Sequence, residues 1–350
     1  MKNLVLILLT VSLFFSCLQK EKSIIPRKIT KVEIETLMQD SKLNVRAIEI
    51  NQQGNLGFAG ANGEMGFNSI TASEEKIVVF KQAYDTIIPN FRSFAYTNKA
   101  SFALSIVSPA LLYKMENDTT RIVYKEFHED VFYDAMNFWN DDEGIAIGDS
   151  LDGCLSIIIT RDGGETWNKL NCDQLPKPIE NEGAFAASDT NIAIVGDKTW
   201  VATTAGRIYY SDDKGITWEV IDTPIIKEKE TEGIYSMAFY DELNGFAIGG
   251  DYTKPADSTA NKIRTQDGGK AWQLVAENQS PGYRSCVQYV PNSGGEELVT
   301  IGFNGIDYSN DSGDSWTHLS DEGFYTIRFL NDSIAYAAGN GRISKLTFKE

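Results

Sequence analysis

Seven residues stand at one recurring place, a few positions ahead of short apolar runs: Arg46, Arg92, Asp134, Glu182, Tyr235, Arg284 and Tyr325. Their types allow two kinds of chemistry. Arginine carries a planar fork of donors that matches a carboxylate at two points, so three together could hold an acid group or an acidic segment. Two carboxylates at a suitable separation could instead cleave a glycosidic bond. Equally, Asp134 and Glu182 could do no more than neutralise the arginines. Asp149, Asp197 and Asp251, each following a glycine that ends an apolar run, add further acids, although Gly-Asp is also ordinary turn chemistry. Trp200, in the stretch 197–207, and Tyr252, in the stretch 251–262, could stack on a sugar or on a partner's side chain. His128 and His318 stand alone, so neither a zinc site nor a Ser-His-Asp triad is implied. No phosphate loop or dinucleotide fingerprint is present, and no metal or cofactor is expected.

The elements that would position these residues follow from a repeat. The stretch Thr160-Arg161-Asp162-Gly163-Gly164-Glu165-Thr166-Trp167 returns around Asp213 and Trp218, around Asp267 and Trp272, and around Asp311 and Trp316. The intervals are roughly 50 residues, close to the period of a four-stranded propeller blade. Tyr133 to Trp139, a polar turn, and Ile145 to Asp149 read as two strands; Cys154 to Thr160 enters the Asp motif as a third, and a fourth leaves through Trp167. Reading outward gives blades near 44–84, 90–128, 131–176, 181–226, 232–280 and 283–320, and a seventh with three strands at 324–330, 333–339 and 342–348. Its fourth strand can come from 29–37, which would close the ring by pairing the chain ends and remove an open edge. The expected fold is therefore all-β, a single propeller of about seven four-stranded antiparallel blades over 29–350.

In each motif the Asp can accept backbone N–H bonds, glycine permits positive φ, and the Trp can cover the turn from the next strand. Four copies argue for a structural device, because a catalytic Asp is seldom needed four times. The spelling resembles the Asp-box, or BNR, repeats of sialidases, sortilin-type receptors and the photosystem II stability/assembly factor family. The longer pattern, with Gly-Asp before the Thr-x-Asp-Gly-Gly-x-Thr-Trp turn, looks most like the assembly-factor family. That resemblance implies a non-catalytic binding scaffold, and its Ser-x-Arg entry to the inner strand matches Arg46, Arg92 and Arg284, implying an arginine-dependent partner contact. Sialidases also use three arginines, a Tyr–Glu pair and an Asp. Their Phe-Arg-Ile-Pro entry is absent, and Asn90-Phe91-Arg92-Ser93 keeps only its Phe-Arg. The alternative function is therefore a glycan-acting hydrolase, sialidase-like or with paired carboxylates, or a lectin.

Met1-Lys2-Asn3, an apolar run from Leu4 to Phe15 and then Ser16-Cys17 read as a secretory signal over 1–16. A small residue directly before Cys resembles a bacterial lipobox, with Cys17 as the lipidated first residue of the mature chain and 17–28 as a tether. Phe14 departs from that pattern, and without lipidation the chain is an ordinary secreted protein. The expected place is the bacterial cell envelope, as a monomer held to a membrane through Cys17, with an envelope protein or a glycan as partner. A net charge of −17 repels nucleic acid. Cys154 and Cys172 lie symmetrically about Gly163, so a hairpin there would set the two thiols face to face, free to pair in an oxidising compartment.

Overall fold

The computed structural model describes residues 26–70 and 75–350, so Cys17 and the signal segment lie outside the described residues. The alternation of apolar residues over short runs yields strands throughout; among the described residues the one helical element is a single 3-10 turn, Cys172–Gln174. Five antiparallel four-stranded sheets span 90–126, 133–169, 192–222, 234–274 and 286–320. A seven-stranded sheet holds both ends of the described chain. Its long strand Lys31–Ile50 serves two partners: Lys31 to Asn44 pairs with Asn340–Lys349, and Val45 to Ile50 pairs with Leu56–Gly60. Taken as one or as two halves, it brings the total to six or seven sheets.

Apolar side chains alternate between neighbouring sheets rather than filling one central core. Phe102, Leu104 and Leu112 of the 90–126 sheet, for example, meet Met136, Ala146, Ile158 and Trp167 of the next. Burying such interfaces, at roughly 25 cal/mol for each Å² of apolar surface, is the main force holding the sheets side by side.

The Asp motifs lie between the third and fourth strands of their sheets. Asp213 Oδ1 accepts the N–H groups of Ile216 at 3.0 Å and Thr217 at 2.8 Å, and its Oδ2 accepts the Thr217 hydroxyl at 2.6 Å. Two residues earlier stands Ser211, whose hydroxyl donates to Asp213 at 2.8 Å and accepts the N–H of Gly215 at 2.8 Å. Thr160, Thr265 and Ser309 repeat that arrangement for Asp162, Asp267 and Asp311. The glycine that closes each turn has positive φ and docks on the preceding sheet; a Cβ at Gly164 would meet Phe102 at 2.3 Å, and one at Gly313 would meet Phe246 at 2.2 Å. Trp218, Trp272 and Trp316 each donate Nε1–H to a carbonyl within their own turn. Trp167 instead packs edge-on against Phe102 and Phe138. Each Asp turn is also bonded to the turn that joins the first two strands of its own sheet, as Gly163 N–H to Asp142 and Lys214 N–H to Asp197. These two sets of turns therefore share one face, the Asp-box face.

The structure revises the expected 181–226 blade. Its first strand is Ile192–Val195, and Gly196-Asp197 is a two-residue turn into Lys198–Ala202. Asp197 thus sits on the Asp-box face, not with Asp149 and Asp251. Trp200 lies mid-strand and wholly buried, stacked on Phe239 at 3.7 Å with Nε1–H bonded to Gly268, so it is a packing residue and not a platform for a ligand. Cys154 and Cys172 are joined by a disulfide, their Cα atoms 5.2 Å apart, and Cys286 is a buried free thiol.

Candidate functional site

The stretch Gly183 to Asn191, rich in Ala and Ser, does not form a strand but bonds to the first strands of several sheets. The Asp189 carboxylate accepts N–H bonds from Phe94 at 2.8 Å and Met136 at 3.1 Å, two residues in different sheets. Ser188 donates to the carbonyl of Ser285 at 2.6 Å and accepts Thr326 Oγ1–H at its own carbonyl at 2.9 Å. Thr190 donates to Ser236 at 2.7 Å, and Arg328 reaches the Asp189 carbonyl at 3.0 Å. Small side chains are required here because the backbone must approach several sheets at once. The segment therefore acts as a hub, and it forms the floor of the site.

Above that floor is a cavity of about 400 Å³ lined by Arg46, Arg92, Phe132, Phe185, Ala186, Ala187, Tyr235, Tyr252, Tyr283, Phe303 and Tyr325. The first-strand entries position most of these side chains, at the end of the sheets opposite the Asp-box face. Of the nine ligand-contact candidates read from the sequence, the cavity gathers five: Arg46, Arg92, Tyr235, Tyr252 and Tyr325. Tyr235 is sandwiched by Phe185 at 3.7 Å and meets Tyr283 edge-on at 4.7 Å. The guanidinium carbon of Arg46 lies 3.9 Å from the centre of the Tyr325 ring, a cation–π contact.

The two arginines of this cavity are unlike the others. The chain has ten arginines, and Arg27, Arg121, Arg161, Arg207, Arg264, Arg284, Arg328 and Arg342 each have a carboxylate within 4.0 Å. Arg46 and Arg92 are the two for which the described residues supply none. Arg46 Nη1 donates to the Ala187 carbonyl at 3.3 Å and its Nε is buried without a partner. Arg92 donates to the Ala186 carbonyl at 3.4 Å and to Asn90 Oδ1 at 3.2 Å. Burial pulls both below the usual arginine range; for Arg92, burial and then the nearby Arg46 charge bring it down to about 10. Positive charge is held here at a cost that an incoming anion would offset.

The remaining candidates fall elsewhere. Arg284 is turned away from the cavity and buried, its Nε bonded to Asp307 at 2.7 Å and its Nη1 to Asn304 at 2.9 Å; Tyr283, one residue earlier, takes the lining position. Glu182 is not on a first strand. It lies in the loop before the hub, tied to Arg207, to the Thr203 hydroxyl at 2.7 Å and to the Tyr209 hydroxyl at 3.2 Å, so it closes a structural cluster. Asp251 is capped by Thr253. Asp134 is wholly buried, neither carboxyl oxygen having a hydrogen-bond partner among the described residues, and burial followed by the neighbouring Asp149 raises its pKa well above the carboxylate range. Asp149, which accepts the Ala184 N–H at 3.2 Å, is pushed up to about 6 by burial.

Asp149 also lines a separate acidic cavity of about 650 Å³ with His128, Glu129, Asp130 and Asp152. Among the described residues no group of three or more His, Cys, Asp or Glu is arranged to hold a metal ion. Phe132, Tyr283, Phe303 and the 185–187 backbone were not singled out by sequence. Tyr283 stands one residue before Arg284 and Phe132 two before Asp134, so a shift of the slot by one or two residues would have found them.

Residues 209–220 match the BNR/Asp-box repeat family. No curated protein matches the chain in sequence. In fold it is similar to YCF48 bound to a D1 peptide, with a TM-score of 0.64 at 13% identity over 94% of this chain and 100% of that one. It is likewise similar to the WD40 repeats of RRP9, with a TM-score of 0.63 at 10% identity over 91% and 98% of the two chains. A third likeness is to an inactive virginiamycin B lyase from Staphylococcus aureus with quinupristin, with a TM-score of 0.60 at 10% identity over 91% and 99%. The chain carries a match to the BNR/Asp-box repeat at 209–220 and has the fold of the β-propellers, and its arginine and tyrosine cavity opens at the end of the sheets opposite the Asp turns.

Proposed function

We propose that this protein is a non-catalytic scaffold whose cavity at Arg46 and Arg92 holds a carboxylate-bearing segment of a partner protein. The observation that carries the reading is the pairing of arginines: eight of ten meet a carboxylate, and the two for which the described residues supply none share one aromatic-walled cavity. An arginine fork desolvated beside tyrosines binds a carboxylate more strongly than an exposed one does. YCF48, of similar fold, is seen with a peptide bound, which supports use of this architecture for gripping a protein segment. Paired-carboxylate hydrolysis gains little support, because Asp134 is fully sealed from solvent and cannot reach a glycosidic oxygen.

The scaffold is read as a closed ring of seven blades. In support, Lys31–Ile50 completes both the first and the last four-stranded unit, and the first strands pack each on the next, with Lys31–Ile50 also packing on Thr326–Phe329. The protein is further read as anchored in the bacterial cell envelope through lipid on Cys17, on the strength of its Ser16-Cys17 sequence alone.

The test is fluorescence-polarisation binding of acidic peptides and of their Gln- and Asn-substituted counterparts to wild type and to the Arg46→Glu/Arg92→Glu variant. Acidic peptides should bind wild type and lose about 10- to 100-fold in affinity on the variant, with the neutral peptides bound weakly by both. Equal affinity of both proteins for the acidic peptides would overturn the reading.

A further inference from the structure

The chain enters the fold through a clasp. Arg27 Nη2 pairs with Glu297 at 2.8 Å and donates to the Asp332 carbonyl at 2.6 Å, and its Nη1 donates to the Ser333 hydroxyl at 3.1 Å. The Arg27 carbonyl in turn accepts the Tyr308 hydroxyl at 2.8 Å and Asn310 Nδ2–H at 3.0 Å. Ile29 is buried directly afterwards, and the Thr30 N–H bonds to Lys349, which starts the pairing along Asn340–Lys349. A guanidinium with three acceptors around it, one the almost fully buried Glu297 carboxylate, holds its segment far better than an exposed ion pair.

The place of the clasp matters. Asn310 belongs to the last Asp turn, and Asp332 and Ser333 form the turn between Thr326–Phe329 and Ile334–Ala338. Both lie on the Asp-box face. Arg27 there joins a set of ion pairs that link successive sheets, including Lys99 with Asp142, Lys214 with Glu143, Lys198 with Glu242 and Arg264 with Asp314. The first-strand entries that carry Arg46, Arg92, Tyr235, Tyr283 and Tyr325 are at the other end of the same strands.

Arg27 lies ten positions after Cys17, a reach of at most about 35 Å when fully extended. We propose that the Asp-box face is the one turned to the lipid surface, that Arg27 fixes this orientation, and that the Arg46/Arg92 cavity consequently opens away from the bilayer. The inference rests on the Cys17 anchor read above. It makes the partner one that approaches from the aqueous side, not a segment lying in the same leaflet. The acidic surface supplies no attraction of its own to anionic lipid, so the tether and its clasp set the geometry.

The experiment uses the full acylated chain reconstituted in phosphatidylcholine vesicles that carry a headgroup quencher. A fluorophore is placed at Asp212→Cys, in an Asp turn, or at Glu129→Cys, on the cavity face; both positions are exposed and the native free thiol is buried. Quenching at position 212 should exceed that at 129 several-fold, and Arg27→Ala should narrow the difference. Equal quenching, or stronger quenching at 129, would overturn the orientation. Flotation with the vesicles, against a Cys17→Ser control, reads the anchor separately. If the wild-type chain fails to float, anchor and orientation fall together; if it floats without the expected order, the orientation alone falls.

Discussion

The Asp turns and the arginine cavity lie at opposite ends of the same strands and handle charge in opposite ways. In the turns every carboxylate is met by donors within five residues of it: Asp162 by Thr160 and Thr166, Asp213 by Ser211, Ile216 and Thr217. In the cavity the described residues offer Arg46 and Arg92 the Ala187 and Ala186 carbonyls at 3.3 and 3.4 Å, with Asn90 Oδ1 at 3.2 Å for Arg92, but no carboxylate, and they give the buried Asp134 no hydrogen-bond partner. A group whose hydrogen bonds are complete in the folded chain has no further interaction to offer a ligand. A desolvated group left incomplete does, and it weakens the fold until the ligand arrives. The comparison separates residues that hold the scaffold together from residues that use it.

The strongest way to break that separation is to damage the repeat end and look for an effect at the other. Trp200→Ala removes a buried indole stacked on Phe239 and leaves the Gly268 carbonyl without its donor. A loss of about 3–5 kcal/mol is expected in urea unfolding, as for other buried Trp truncations. Acidic-peptide affinity, measured below the unfolding transition, should stay unchanged. Lost affinity in a protein that is still folded would show that the two ends are coupled.

The two ends should also answer pH with opposite sign. Burial raises Asp162, Asp213 and Asp311, but the hydrogen bonds from their turns outweigh it; in Asp267 the Ala271 N–H leads. All four end below the ordinary Asp value. Their contribution is present above the unfolded pKa of about 3.9 and is lost as pH falls through the lower folded values. Asp149 is raised to about 6, and Asp134 is raised as well, so their contribution is complete below about 4 and is lost as pH rises through the folded values. Stability followed by urea titration should therefore peak in mildly acid solution. From Asp149 alone the decline toward pH 8 is about 3 kcal/mol at most, and Asp149→Asn, which keeps an acceptor for Ala184, should flatten it. A flat wild-type profile between pH 4 and 8 would remove the contrast.

Legibility in the sequence follows the same division. The Asp turns could be read because the partners of each Asp are local: Thr or Ser two residues before it, Gly two after it, Thr, Ser or Ala at the fourth place and Trp at the fifth. The cavity was readable only in its outline. Arg46, Arg92, Tyr235 and Tyr325 share a register that repeats from sheet to sheet, and register is a property sequence can carry. The hub 183–191 has no such register, since its bonds run to residues about 50 to 140 positions away, as Asp189 to Met136 and Arg328 to Asp189. Trp200 was misplaced for a related reason. Val195-Gly196-Asp197 spells like the strand ending at Gly148-Asp149, yet at 196–197 the chain turns back within two residues, and Trp200 enters a strand instead of a loop. Arg284 differs from Arg46 in being held away from the cavity by Asp307 and Asn304, neighbours that folding and not spelling supplies.

The smallest effect sharpens the comparison most, because it asks whether one Asp turn matters alone. Asp213→Ala removes acceptors from the Ile216 and Thr217 N–H groups and from two hydroxyls, but these groups are near solvent and water can replace the carboxylate. The expected cost is therefore about 1 kcal/mol, the net value of hydrogen bonds exchanged with water. The same change at Asp162, Asp267 or Asp311 should cost a similar amount, and the losses should add, since no two of these turns share an Asp-bonded partner. None should alter acidic-peptide affinity. If one turn proved much costlier than the rest, or if its loss changed affinity, that copy would have a second role beyond ending its hairpin, and the repeat end could no longer be treated as scaffold alone.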